Sequence, residues 1–286
     1  MNSTSSQRTI WFNGELMAES EAHLSPFDRG FTAGDGCSEA IVTYEGLPFA
    51  FSRHYERLRQ SASKLNFDLK SLPSKEKMFQ AVRSLIATST YSDPMLIRIV
   101  VSSGVAQLGK SRSDTPCTVL MWIEPAFEGE ETVSLVELPY VVNEKSPLAG
   151  VVTSSSRERQ MMLEEARSKG AGECLLANTQ GKLCSGADSN VFWVEDGTVC
   201  TPSLEDGALP GVTRDLVIEL CSQLKIPVSE KSLPMSSLKS LSEVFITSTL
   251  REVQPVAMIG ERRLFPGAVT IMLRKAYKDL LDDIDP

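Results

Sequence analysis

Two short stretches of this chain have the residue types and spacing to hold an anion or a nucleophile. Gly211-Val-Thr-Arg214 runs into apolar Leu216, Val217, Leu220 and Leu224 at helical spacing, so a helix begins there, with Thr213 as its expected N-cap. Free backbone N–H groups and the helix dipole at such an end favour a phosphate dianion, although an ordinary capped helix has the same pattern. Ser154, Ser155 and Ser156 offer hydroxyls, but a nucleophilic serine needs a base. The chain has only two histidines, His23 and His54, and neither lies near the run, so a serine-capped turn into a helix is the expected reading. Six cysteines (Cys37, Cys117, Cys174, Cys184, Cys200 and Cys221) form no C-x-x-C pair, which leaves no zinc knuckle, no disulfide framework and no assignable metal site. Arg98, Arg112, Arg214 and Arg251 are candidates to bind a carboxylate, and their spacing singles out none of them.

The elements that must position these groups follow from periodicity. Apolar residues flank Asn13-Gly14 as in a hairpin, and 40–49 reads as a second strand pair. Helical spacing runs from His54 through Tyr55, Leu58, Ala62 and Leu65, and again over 75–88; strands follow at 95–101 and 118–123. Acidic and small residues at 125–131 mark a linker between an N-terminal domain, 1–124, and a C-terminal domain, 132–286. In the second, strands are expected at 132–140, 172–177, 190–195 and 243–248, and helices at 157–168, 213–224 and 267–282. Strands and helices are thus mixed on both sides of the linker. With 286 residues, 42% of them hydrophobic, each domain can bury a core. A formal net charge of -8 argues against nucleic acid or an anionic membrane as partner and leaves a small molecule or a protein. The start of the chain lacks signal-peptide character and no apolar run reaches the roughly 20 residues of a membrane span, so the cytoplasm is the expected location.

Five segments in order resemble the class IV aminotransferase family of fold-type IV pyridoxal-phosphate (PLP) enzymes, which includes branched-chain and D-amino-acid aminotransferases and 4-amino-4-deoxychorismate lyases. They are Phe27-Asp-Arg-Gly-Phe-Thr-Ala-Gly-Asp-Gly36 with Glu39; Arg53-His-Tyr-Glu-Arg57-Leu with Ser61-Ala62; Gly186-Ala-Asp-Ser-Asn190-Val-Phe; Leu209-Pro-Gly-Val-Thr-Arg214; and Phe245-Ile-Thr-Ser-Thr249. The resemblance implies an α/β (α+β-like) two-domain fold with a ligand cleft between the domains, a homodimer, and a phosphate cup. Its residues are then Arg57, supplying permanent charge and a donor fork, Val212 and Thr213 at the helix N-terminus, and the small hydroxyl residues Ser248 and Thr249.

Against the same family, the chemical half of the site departs. The lysine that bonds the cofactor and shuttles protons falls on Val152, which does neither. Lys145, seven residues earlier, and Lys182, in a Gly-Lys turn, are the nearby amines. The glutamate that holds the pyridine nitrogen protonated falls on Ser185, which supplies no counter-charge. Two further aromatic positions are Ser38 and Ser156. The sequence therefore implies a family member that binds PLP, its amine form PMP or another phosphorylated ligand noncovalently, without ordinary PLP catalysis. An active aminotransferase or lyase using an unexpected lysine, and a noncatalytic regulatory or structural partner, are the competing readings.

Overall fold

The computed structural model describes residues 8–107, 109–126 and 129–282. Met1–Gln7 and Leu108 of the expected first domain, Phe127 and Glu128 of the expected linker, and 283–286 of the expected second domain lie outside the described residues. The chain divides into two compact units: residues up to Ala126 together with Val151–Ser155, and the remainder from Phe127 to Gly150 and onward from Ser156. No composition change in the sequence marks the return of 151–155 to the first unit.

The first unit contains β1 (Thr9–Phe12), β2 (Glu15–Ala18), α1 (Arg29–Ala33), β3 (Gly36–Tyr44), β4 (Leu47–Pro48), α2 (Phe51–Lys64), α3 (Lys75–Thr88), β5 (Met95–Ser102) and β6 (Thr118–Pro125). Its strands form an antiparallel sheet ordered β2-β1-β6-β5-β3-β4. Strand alternation sets the two faces. Ile97, Ile99 and Val101 of β5 join Cys37 and Ile41 of β3 in a core with Leu58 and Ala62 of α2 and Met78 and Val82 of α3. Arg98 and Val100 fall on the opposite phase and are half-buried. Each fully buried aliphatic side chain contributes about 1.5–3 kcal/mol.

Glu39 lies in the inward phase of β3 and is 2% exposed. Its charge is met from α2, where His54 and Arg57 stand three residues apart on one helix face. Arg57 donates Nε to Oε1 and Nη2 to Oε2, both at 2.7 Å, and His54 Nδ1 lies 2.8 Å from Oε2. This polar cluster seats α2 on the sheet.

The second unit contains β7 (Val133–Val142), α4 (Arg157–Ser168), β8 (Glu173–Asn178), β9 (Leu183–Ser185), β10 (Asn190–Glu195), β11 (Thr198–Thr201), α5 (Val212–Gln223), β12 (Val228–Glu230), β13 (Glu243–Ser248), β14 (Glu252–Ile259), β15 (Arg262–Arg263) and α6 (Ala268–Asp282). Its mixed sheet runs β12-β11-β10-β13-β14-β7-β8-β9, with β15 paired to β14. Val191, Trp193, Val244 and Ile246 enter one core, while on the other phase Phe192 stacks on Phe245 with centroids 4.8 Å apart. Helices α5 and α6 pack against each other and against β13 and β14. Among the described residues, no helix is long and apolar enough to cross a membrane.

The buried cluster makes the first unit acid-sensitive. Burial holds His54 below its ordinary 6.5, outweighing the pull of Glu39. Burial opposes ionisation of Glu39 too, but Arg57 and His54 overcome it and hold that carboxyl below 4.5. The unfolded chain takes up protons that the folded chain refuses, so stability is lost as pH falls, first below about 6.5 and again below about 4.5. Thermal melts against pH are expected to fall on acidification, and His54→Gln should flatten the first part of that slope; an unchanged slope would remove His54 from the account.

Candidate functional site

The N-terminus of α5 is built by a close approach. Gly211 is its N-cap, and a Cβ there would lie 2.1 Å from Asn190 Oδ1. Asn190 Nδ2 in turn donates to Leu209 O at 2.8 Å, which fixes the turn before the helix on the first residue of β10. The expected N-cap, Thr213, is therefore corrected: the helix begins at Val212, and the contact with Asn190 leaves no room for a capping side chain at 211. With no side-chain cap, the first-turn N–H groups have no acceptor within the helix, and the dipole adds partial positive charge. Val212 and Thr213 are both buried, and the Thr213 hydroxyl shares a hydrogen bond with Tyr277 of α6, whose phenol burial pushes up. What these two residues can offer an anion is backbone.

Register brings the other expected donors to the same end of the sheet. Asn190 pairs with Thr247, so Ser248 and Thr249 follow directly beside the strand start that seats Gly211. Both are half-buried, and Ser248 Oγ accepts from Arg251 N at 3.2 Å. In the second unit Val212 and Thr213 open α5 behind Gly211, and Ser248 and Thr249 follow the residue paired with Asn190, which seats that glycine.

Arg57 belongs to the first unit, where its side chain is 13% exposed and forked onto Glu39. Val152 belongs there too. Ser38 N donates to Val152 O at 3.0 Å, Ser154 N donates to Gly36 O at 2.9 Å, and Thr153 bridges Cys37, so 152–154 extend the sheet along the start of β3. Ser155 Oγ donates to Gly34 O at 3.0 Å. Ser156 occupies the N-cap of α4 but makes no capping bond, which corrects the serine-capped turn. Its backbone, at φ −100° and ψ 2°, lacks the extended conformation typical of a capping residue.

The nearby amines are placed elsewhere. Lys145 is exposed in a turn whose amide is held by Asn143 Oδ1 at 3.0 Å. Lys182 Nζ lies 3.3 Å from Oδ1 of buried Asp206. Ser185 ends β9 beside Cys184, whose thiol burial pushes up to about 11.

Of the four arginines, Arg214 is 2% exposed and spans Glu230, Asp215 and Pro202 O, a structural tie between α5 and the β11–β12 edge. Arg112 Nε lies 2.6 Å from Asp35, and Arg251 is bound to Gln254 and Gly172 O. Arg98 lies over the Trp122 ring at 5.8 Å.

Sequence reading missed Asn190 and Glu39 as positioning groups. A polar residue in the inward phase of an otherwise apolar strand, such as Glu39 between Cys37 and Ile41, is the signal that finds them.

Residues 36–259 match the family model described as amino-transferase class IV. The chain is 32% identical over 283 residues to a putative branched-chain-amino-acid aminotransferase of Methanocaldococcus jannaschii, covering 95% of this chain and 96% of that one. It is 28% identical over 287 residues to the branched-chain-amino-acid aminotransferase of Escherichia coli, covering 94% and 91%. Its fold is similar to the crystal structure of a branched-chain aminotransferase from Thermoproteus uzoniensis with norvaline, with a TM-score of 0.89 at 26% identity over 96% of this chain and 95% of that one. Related to them in sequence and fold over nearly its whole length, this chain belongs to the class IV aminotransferases, a family of fold-type IV PLP enzymes.

Proposed function

We propose that this class IV aminotransferase homologue binds a phosphorylated ligand, PLP or PMP among them, noncovalently and without ordinary PLP catalysis. The phosphate end of the cofactor fits the second unit: the N-terminus of α5 has no side-chain cap, Val212 and Thr213 open that helix, and the hydroxyl residues Ser248 and Thr249 follow the β13 partner of Asn190, which seats Gly211. The reactive end does not fit. When bound to an active family member, PLP supplies an electron sink that works with a lysine amine and a carboxylate at the ring nitrogen; Val152 and Ser185 provide neither.

The observation that carries this reading is the pairing of 152–154 with Gly36–Ser38. Moving Lys145 to the place of Val152 would need a slip of seven residues, which breaks both hydrogen bonds and reverses the faces of the segment.

A second reading, an active aminotransferase or lyase using an unexpected lysine, is favoured by the likeness to branched-chain aminotransferases. A third is a noncatalytic partner of an active homologue. We also propose a homodimer. Phe27 and Phe31 flank the start of α1 at 73% and 74% exposure, and Leu24 and Val105 are also exposed in the same unit, apolar side chains that a second copy of the chain would cover.

Three measurements test these points. Incubation with PLP followed by borohydride and mass spectrometry is expected to leave every lysine unlabelled while equilibrium titration shows reversible binding; a labelled lysine would sink the leading reading. Val152→Lys combined with Ser185→Glu should produce a visible absorption band and a borohydride-fixed label at position 152, and its absence from a well-folded variant counts against the register. In sedimentation, the chain is expected to be a dimer that Phe27→Ser with Phe31→Ser shifts toward monomer; an unshifted dimer would move the interface elsewhere.

A further inference from the structure

We infer that Glu173, tied to Arg251, is a positioning residue that holds the two lips of the phosphate cup in register; the inference rests on the phosphate reading above. Glu173 opens β8 and is fully buried. Its Oε1 accepts from the amides of Cys174 at 2.9 Å and Ala187 at 3.0 Å, and its Oε2 from the amide of Asp188 and the hydroxyl of Ser189, both at 3.2 Å. Three of those donors lie in the turn between β9 and β10. The turn is drawn so close that a Cβ on Gly186 would sit 3.0 Å from Glu173 Cδ and 2.3 Å from Ser189 Oγ.

One end of this turn is Ser185 and the other is Asn190, the residue that seats Gly211. A single carboxylate therefore sets, through one short turn, where the N-terminus of α5 stands. Arg251 connects it to the opposite lip. Its Nε lies 3.9 Å from Glu173 Oε2, its Nη2 donates to Gly172 O at 2.8 Å and its Nη1 to Gln254 Oε1 at 2.8 Å, while its own amide binds Ser248 Oγ. Burial pushes the Glu173 carboxyl up against the pull of the amides and Arg251. An isosteric amide cannot replace it, because its –NH2 would face N–H donors where an acceptor is needed.

The electrostatic and positioning roles of Glu173 have opposite signs. Removing a negative charge beside an anion site strengthens anion binding by Coulomb's law alone. Removing the group that aims the donors weakens it.

The test uses the full chain, titrated with inorganic phosphate by phosphorus NMR and with PLP by calorimetry, with hydrogen exchange read at Asn190, Val212 and Thr213. Glu173→Gln is expected to weaken both probes about tenfold and to speed exchange at those amides, the scale of one buried acceptor lost. Ser189→Ala, which removes one donor and leaves the carboxylate, should shift both readouts in the same direction by less and serves if Glu173→Gln does not fold. Exposed Glu164→Gln, the charge control, should leave both unchanged. Equal or tighter binding by folded Glu173→Gln, or by Ser189→Ala where only that variant folds, overturns the inference while leaving the phosphate reading intact. Failure of the unaltered chain to bind either probe overturns both.

Discussion

The contact between Asn190 and Gly211 is the constraint on which the second unit's site depends. One side chain accepts the closest approach the backbone permits and spends its amide on Leu209 O, so the turn into α5 cannot drift from the sheet. Because Asn190 is also paired with Thr247, the same residue sets the separation between a helix N-terminus and a strand end. Under the proposed reading, preorganisation of this kind lowers what binding an anion costs.

The first unit solves a different problem with the same economy of parts. Arg57 faces a buried carboxylate and is held by it in a two-pronged geometry, so its charge is matched before any ligand is present. A planar fork matches both oxygens of a carboxylate at once, which is the advantage arginine has over lysine at such a position. His54 completes the set without adding charge, as burial keeps its ring neutral.

Much of this was legible in the sequence, and where it was not the reasons are physical. Helix α3 and helix α4 coincide with their expected spans because their apolar spacing is uninterrupted and no buried partner competes with it. Short strands such as β9, β11 and β12 carry too few residues for alternation to show, and α1 is a single turn begun by Asp28. The start of α5 was misjudged by cap preference, because a tertiary contact at Asn190 overrode what Thr213 would do alone. Arg214 and Arg251 show the same limit. Their charge is visible in sequence, but only the fold shows that buried or neighbouring acceptors already engage them.

The return of 152–154 to the start of β3 has a consequence for synthesis on the ribosome. β4 is only two residues long and pairs with Thr43 and Tyr44, so the other half of that strand's outer edge stays bare until a segment more than a hundred residues later has emerged. During that interval the nascent first unit carries an open strand edge, the kind of surface that recruits other chains. Completion of the sheet is thereby deferred until translation has passed residue 154, and the unit that holds Val152 cannot be finished without it.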